Sequence, residues 1–122
     1  MTPDKLSERM LEFASNIVGF TDALPKTRAG RHIAGQLLRC GTSPGPNYEE
    51  ACAAESRADF IHKLRIVLKE LRESRFWIRL VAKRCLLPAD TTGPLCAEAS
   101  ELCNIIGKSV VTANERRKNR MR

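Results

Sequence analysis

A carboxylate and a histidine at helical spacing are the first side chains in this sequence that could do chemistry. Asp59 and His62 stand three positions apart, so a helix would present both on one face, as in a di-metal carboxylate site. That kind of site needs two such pairs and two further glutamates, whereas the other histidine, His32, stands alone. The sequence therefore predicts neither a metal site nor a cofactor.

Two acidic pairs, Glu49/Glu50 and Glu70/Glu73, are the other candidates for acid–base work. Glu50 follows Asn47 at the spacing of a capping box, which predicts that these two residues begin a helix. Glu70 and Glu73 share a helical face, and we expect them to pair with the second helical segment, with nearby arginines or with another subunit. The sequence therefore assigns these carboxylates a structural role.

Five cysteines are scattered along the chain without a Cys-x-x-Cys pair: Cys40, Cys52, Cys85, Cys96 and Cys103. This spacing favours neither a disulfide framework nor a zinc site, and it predicts buried thiols in a reducing compartment. The sequence also lacks a nucleophile-elbow motif, a P-loop and a dinucleotide-binding fingerprint. We therefore expect a protein that is not an enzyme.

Positive charge is concentrated in the middle and at the end of the chain. The net charge is +7, and residues 56–87 hold nine Lys or Arg against three Asp or Glu. Steps of four, three, four, three and four connect a predicted basic stripe: Arg65, Lys69, Arg72, Phe76, Arg79 and Lys83. A second basic cluster follows near the end: Arg116, Arg117, Lys118, Arg120 and Arg122. Cations in a row can follow phosphates, and Phe76 could stack on a base.

Two functions fit this pattern. The leading hypothesis is a non-enzymatic protein that associates with RNA or DNA through the basic stripe and the tail. The alternative is a protein–protein scaffold or accessory protein without direct nucleic-acid contact, in which the cations keep the protein soluble or bind acidic partners. The nucleic-acid hypothesis predicts that the stripe cations face solvent. The scaffold hypothesis predicts that they form salt bridges to Glu49, Glu70, Glu73 or another subunit.

Four amphipathic helical segments must position these residues, at about 4–24, 27–55, 57–85 and 92–114. Thr2, Thr27 and Ser56 are the predicted N-caps, and Pro44 and Pro46 predict a kink in the second segment. Short connections predict an all-α, antiparallel up-and-down four-helix bundle over residues 1–114. Residues 115–122 have no apolar face and predict a frayed basic tail.

The third segment carries more apolar width than one helix seam needs, with Trp77 among the residues that widen it. Surplus apolar surface favours a homo-oligomer. No apolar run reaches the roughly 18–20 residues of a membrane span, and the N-terminus lacks the apolar core of a signal peptide. These features predict a cytoplasmic protein with no membrane partner.

Residues 36–43, 47–51, 59–64 and 69–78 together resemble the family of 23S rRNA intervening sequence proteins, also called S23-type proteins. The resemblance extends from about residue 13 to residue 110. It implies a bacterial four-helix bundle that assembles as a ring-shaped homopentamer, with no enzymatic activity. The family is similar in fold to a pentameric accessory protein of retroelements that binds nucleic acid and a reverse transcriptase. The chain departs from the family at residues 44–47, where the extra prolines are expected to sharpen the kink in the second helix.

Overall fold

A computed structural model describes residues 1–121, and all regular secondary structure in this range is helical. The helices are α1 (Pro3–Ala23), α2 (Arg28–Thr42), α3 (Pro44–Cys52), α4 (Arg57–Lys83) and α5 (Ala89–Arg120). A single residue separates α2 from α3, so these two form the kinked second segment that the prolines predict. The predicted all-helical bundle is confirmed. Within residues 1–121, no helix is both long enough and apolar enough to span a membrane.

Side-chain caps begin three of the helices at the predicted residues. The hydroxyl oxygens of Thr2, Thr27 and Ser56 accept hydrogen bonds from the backbone N–H three positions later, at 3.2, 3.1 and 3.0 Å. Each bond satisfies an N–H that has no acceptor within its own helix, which typically contributes about 1 kcal/mol. The beginnings of α1, α2 and α4 are therefore encoded locally.

The break between α2 and α3 lies at Ser43, which ends one helix and begins the next. Pro44 and Pro46 occupy the first turn of α3. Backbone N–H groups in a first turn have no intrahelical acceptor, so proline removes no helical hydrogen bond there. The prolines therefore end α2 and start α3 at once.

Asn47 lies inside α3 rather than at its start, and the predicted capping box of Asn47 and Glu50 is wrong. The Asn47 side-chain amide donates to the Ser43 carbonyl oxygen at 3.0 Å. Glu50 forms an exposed ion pair with Lys63 of α4 at 3.1 Å. The box failed as a prediction because proline at the first helical position starts the helix four residues earlier, with Ser43 instead of Asn47 as the N-cap residue.

Contacts between α4 and the α2–α3 unit run in opposite chain order. They join His32 to Trp77, Arg39 to Glu73, and Glu50 to Lys63. Residue numbers rise along one partner as they fall along the other, which is the order of antiparallel neighbours. Helix α4 also packs along α5, and this is the most extensive helix pair of the fold.

The apolar width of α4 is absorbed within the bundle. Its core residues are Ile61, Leu64, Val67, Leu68, Leu71, Ile78 and Val81, while Phe60, Trp77 and Leu80 pack against that core. One helix that touches α2, α3 and α5 at once needs this width for internal packing. The width therefore gives no argument for self-association, contrary to our expectation.

Helix α5 starts and ends differently from the prediction. It begins at Ala89 and continues to Arg120, with Pro94 inside it. Residues 115–120, for which the sequence predicts a frayed tail, are helical in the structure, and Arg122 lies outside the described residues. Cationic side chains in the last turn interact favourably with the negative end of the helix dipole, which offsets the lack of apolar contacts.

Candidate nucleic-acid interface

The predicted basic stripe lies on the solvent-facing side of α4, opposite its core face. All six of its side chains are exposed, and Phe76 keeps 57% of its surface accessible. Steps of four and three residues follow the helical repeat closely enough to hold the row on one face. The members Arg65, Arg72 and Arg79 recur every seventh residue, which corresponds to a rise of about 10.5 Å per step.

The acidic residues of α4 lie on another side, against α2. Glu70 is only 8% exposed and accepts a hydrogen bond from Arg39 Nη1 at 3.1 Å. Arg39 Nη2 binds Glu73, which also accepts a hydrogen bond from Trp77 Nε1 at 3.2 Å. Of the partners that the sequence allows for these carboxylates, the structure shows Arg39 of the second helical segment.

This network holds the Glu73 carboxylate in its charged form. Burial acts to raise the pKa of Glu73, but hydrogen bonds from Trp77 and Arg39, together with the charges of Arg39 and Lys69, outweigh it. The pKa of Glu73 therefore lies below its ordinary value, and the carboxylate is ionised at neutral pH.

Acidic residues of α5 are also bound by a cation outside the stripe. Arg9 of α1 pairs with Glu98 at 2.6 Å and with Glu101 at 3.1 Å. The hydrogen bond with Glu98 is the main reason that the pKa of Arg9 lies above its ordinary value. Among residues 1–121, every ion pair uses Arg9, Arg39 or Lys63. No stripe cation therefore forms an ion pair within residues 1–121, and Lys69 acts on Glu73 only through its charge.

A groove between α4 and α5 extends the basic surface beyond the stripe. Its wider part encloses about 870 Å³ and is lined by Arg72, Arg75 and Lys108, with no carboxylate in the lining. Burial raises the pKa of the Cys103 thiol in this groove, while the charges of Arg75 and then Arg72 lower it. The positive charges of both arginines are therefore close enough to affect the Cys103 thiol inside the groove.

Sequence periodicity missed Arg75 and Lys108 as members of this surface. Arg75 falls between the stripe and the core face, and Lys108 belongs to a different helix. A stripe is defined on one helix, whereas a groove depends on how two helices are rotated against each other. The only signal was compositional, because Lys108 is the one basic residue between positions 88 and 115.

The basic cluster of α5 lies near the start of α4. Arg116, Arg117, Lys118 and Arg120 are exposed and helical. Arg120 lines a small groove with Arg57 and Phe60, which precede Arg65 by one to two helical turns. Cations therefore recur along the length of the α4–α5 pair, from Lys83 at one end to Arg120 at the other.

Other candidate chemistry is dispersed. Asp59 and His62 are exposed, and within the described range no three His, Cys, Asp or Glu side chains gather closely enough to hold a metal ion. The free cysteines are only partly buried as predicted, since Cys52 and Cys85 are exposed. Cys40 is buried beside Ser74, and burial raises the pKa of its thiol to about 11. A thiol with that pKa is protonated and inert at neutral pH.

Comparison with known proteins places this geometry in a family. None of the curated proteins compared with the chain matches it. A crystal structure of a protein with unknown function from the S23 ribosomal protein family of Bacteroides thetaiotaomicron is 32% identical. The superposition has a TM-score of 0.80 and covers 86% of this chain and 97% of that one. A family model described as 23S rRNA-intervening sequence protein matches residues 5–108, so the chain belongs to this family, as its motifs predicted.

Proposed function

We propose that the protein is a non-enzymatic nucleic-acid-binding protein whose ligand lies along the α4 stripe and the α4–α5 groove. The supporting observation is which cations of the protein form ion pairs and which do not. Glu70, Glu73, Glu98 and Glu101 are bound by arginines of α1 and α2, whereas the stripe cations have no such partner in residues 1–121. The name of the family adds support for RNA, or a ribosome-related RNA, as the ligand.

The binding energy of such a surface comes from counterion release. Each phosphate that a cation neutralises frees condensed counterions, so the affinity falls as salt concentration rises. Five stripe cations that each meet one phosphate give a slope of log affinity against log salt of about −3.5 for a single strand and −4.5 for a duplex. Between 50 and 200 mM salt, this corresponds to a loss of about 100-fold to 500-fold in affinity.

A salt titration tests the proposal. Fluorescence anisotropy with labelled RNA and DNA oligonucleotides of mixed sequence is expected to give micromolar or tighter binding at 50 mM salt. The affinity should fall with the slope stated above and vary little with sequence, because phosphate contacts carry no base information. A folded protein that binds neither RNA nor DNA at 50 mM salt would contradict the proposal and redirect the search to a protein partner.

We also propose that the protein works as a homo-oligomer, for which the family resemblance implies a pentamer. The support now comes from the outer faces of other helices. Leu11 and Val18 of α1 are 62% and 44% exposed, and Leu38 of α2 is 42% exposed. The exposed surface of the chain is 7531 Å², against roughly 6,600 Å² for a compact monomer of its mass.

Light scattering at micromolar concentration is expected to give a mass of several chains. Leu11 and Val18 lie seven residues apart on α1, where a partner could bury both. Leu11→Ser/Val18→Ser should lower the measured mass and leave the helical circular dichroism unchanged, because both side chains already face solvent. A wild-type mass of one chain at this concentration would refute the oligomer.

The scaffold alternative retains one specific observation. Helix α1 exposes Glu8 and Glu12 beside Leu11, so its outer face is acidic and partly apolar. That face has the opposite charge to the stripe, and a second copy could use it to cover Arg65, Lys69 and Arg72. Nucleic-acid binding by the assembled protein distinguishes the two, because a stripe buried between copies would leave no phosphate site.

A further inference from the structure

At one end of the basic surface, α4 and α5 form an open pocket of about 540 Å³ beside Phe76. Most of its lining is uncharged, with Leu80 and Ala82 on α4 and Gly93 and Cys96 on α5. The charged members of the lining are Arg79 and Lys83, and no carboxylate contributes. A largely apolar pocket with two adjacent cations suits a flat, uncharged ring system that is attached to phosphate.

The Phe76 ring is held in position by a chain of contacts that reaches α2. Its centroid lies 5.3 Å from that of Trp77 with the planes at 79°, an edge-to-face arrangement. The Trp77 indole donates to Glu73, and Glu73 is bound by Arg39. Phe76 nevertheless remains 57% exposed. An exposed aromatic ring that already packs against a neighbouring ring offers its free face for stacking.

We propose that this pocket binds one unpaired nucleobase, stacked on Phe76, with the adjoining phosphates on Arg79 and Lys83. The protein consequently prefers single-stranded nucleic acid over duplex. The bases of a duplex are paired inside the helix and reach a protein side chain only after unpairing and flipping, which costs a few kcal/mol. A single strand pays no such cost, while its phosphates meet the same cations. This inference rests on the proposed function and adds the form of nucleic acid that it takes.

Gly93 offers a way to close the pocket. Apart from its chain neighbours, a Cβ atom built on Gly93 meets no atom within 4 Å, so a larger side chain there enters open space. Gly93 precedes Pro94, and a proline ring disfavours the helical conformation of a residue with a Cβ atom before it, so circular dichroism must show that Gly93→Leu is folded. Gly107 of the same helix has the same freedom but lines the wider, basic part of the groove. Gly107→Leu is therefore a control for the bulk of a leucine in the groove, and Phe76→Ala tests the pocket independently of the backbone at Gly93.

The experiment compares binding of a 20-nucleotide single strand and of the matching duplex by anisotropy at fixed salt. Wild type is expected to bind the single strand at least tenfold more tightly. Phe76→Ala and Gly93→Leu should each weaken single-strand binding about fivefold to hundredfold, the range measured for one base–aromatic stack. Their duplex binding should change less than twofold. Phe76→Tyr should retain the preference, and Gly107→Leu should change both affinities by one common factor.

A fluorescent base gives an independent readout. With 2-aminopurine placed in the strand, binding of wild type should change its emission through stacking, and Phe76→Ala should remove that change at saturating protein. Equal losses for strand and duplex in Phe76→Ala and Gly93→Leu, or no preference in wild type, would overturn the base pocket and leave the phosphate-binding proposal standing. A failure to bind either form would instead remove the proposed function, and the pocket with it.

Discussion

Charge reversal at three stripe positions, Lys69→Glu/Arg72→Glu/Arg79→Glu, is expected to weaken binding of RNA and DNA at least about 100-fold at 100 mM salt. Three attractive phosphate contacts become repulsive, so the loss exceeds that of simple truncation. The salt slope should shrink as well, because about three fewer counterions are released on binding. Anisotropy titrations at 50, 100 and 200 mM salt measure both quantities.

The folded state should survive this triple substitution. All three side chains are exposed, and the ion pairs of residues 1–121 use other cations. Surface substitutions away from specific contacts typically change the free energy of unfolding by less than about 0.5 kcal/mol each. Circular dichroism and light scattering on the variant should therefore match those of wild type. A variant that loses its assembly would not report on the surface alone, and single substitutions at Arg72 and Arg79 would then replace it.

A second triple variant tests whether binding depends on where the positive charge lies or only on the net charge of the protein. Lys26→Glu/Arg28→Glu/Arg31→Glu also changes the net charge from +7 to +1, because each replacement removes one positive charge and adds one negative charge. These three exposed residues lie at the start of α2, where acidic side chains favour the helix. Binding within about fivefold of wild type is expected. Equal losses in the two variants would mean that net charge, and not the α4 surface, governs binding.

The basic stripe was predictable because it depends on one helix alone. Spacing along a helix fixes which side chains share a face, and the apolar stripe of α4 fixes which face is buried. The opposite face, with Arg65 through Lys83, then had to be exposed. The N-caps at Thr2, Thr27 and Ser56 were predictable for the same reason, since each cap bonds a residue three positions away.

Features that depend on how two helices pack together could not be predicted from the sequence. Arg75 and Lys108 join the surface only because α4 and α5 are rotated so that both side chains line one groove. The pairing of Glu70 with Arg39 was only one of several partners that the spacing allowed, and packing of α2 against α4 selected it. The pocket beside Phe76 likewise needs Gly93 of α5 to leave space opposite α4.

The start of α3 and both ends of α5 differ from the prediction because small free energies decide them. Residues 115–120 continue α5 although they bury nothing, and favourable charge–dipole interactions of a few tenths of a kcal/mol decide such a case. Helix α3 starts at Pro44 because proline fits the first turn, while the box of Asn47 and Glu50 offered a competing start of similar strength. The spacing of apolar residues does not show which of two possible start or end positions of a helix has the lower free energy.

Replacement of Gly30 by alanine is expected to destabilise the protein by about 1–3 kcal/mol, the typical cost of a steric conflict in a packed fold. An added Cβ atom would collide with the Pro25 carbonyl oxygen and lie 3.1 Å from the Thr27 hydroxyl oxygen. The first of these is a backbone atom, so no side-chain rotation relieves the conflict. The turn between α1 and α2 would have to open, and the cap on α2 from Thr27 would be lost with it.

Gly35 of the same helix supplies a matched control with the opposite expected sign. No atom lies within 4 Å of a Cβ atom built there, and the residue is exposed in the middle of α2. Gly35→Ala should therefore stabilise the protein by about 0.5–1 kcal/mol, because alanine loses less backbone entropy on forming a helix. Urea unfolding followed by circular dichroism measures both changes at one fixed protein concentration, since stability in an oligomer depends on concentration.

The two glycine substitutions together test the α1–α2 junction rather than glycine content. Opposite signs would establish that the Pro25 carbonyl packs against the Gly30 backbone in solution, and that only glycine fits this close approach. A Gly30→Ala protein as stable as Gly35→Ala would mean that the turn lies elsewhere. Helix α2 would then have to sit differently against α1, and the placement of Arg39 against Glu70 and Glu73 would need revision. That pairing keeps both carboxylates away from the stripe, so the position of α2 bears directly on the charge of the proposed interface.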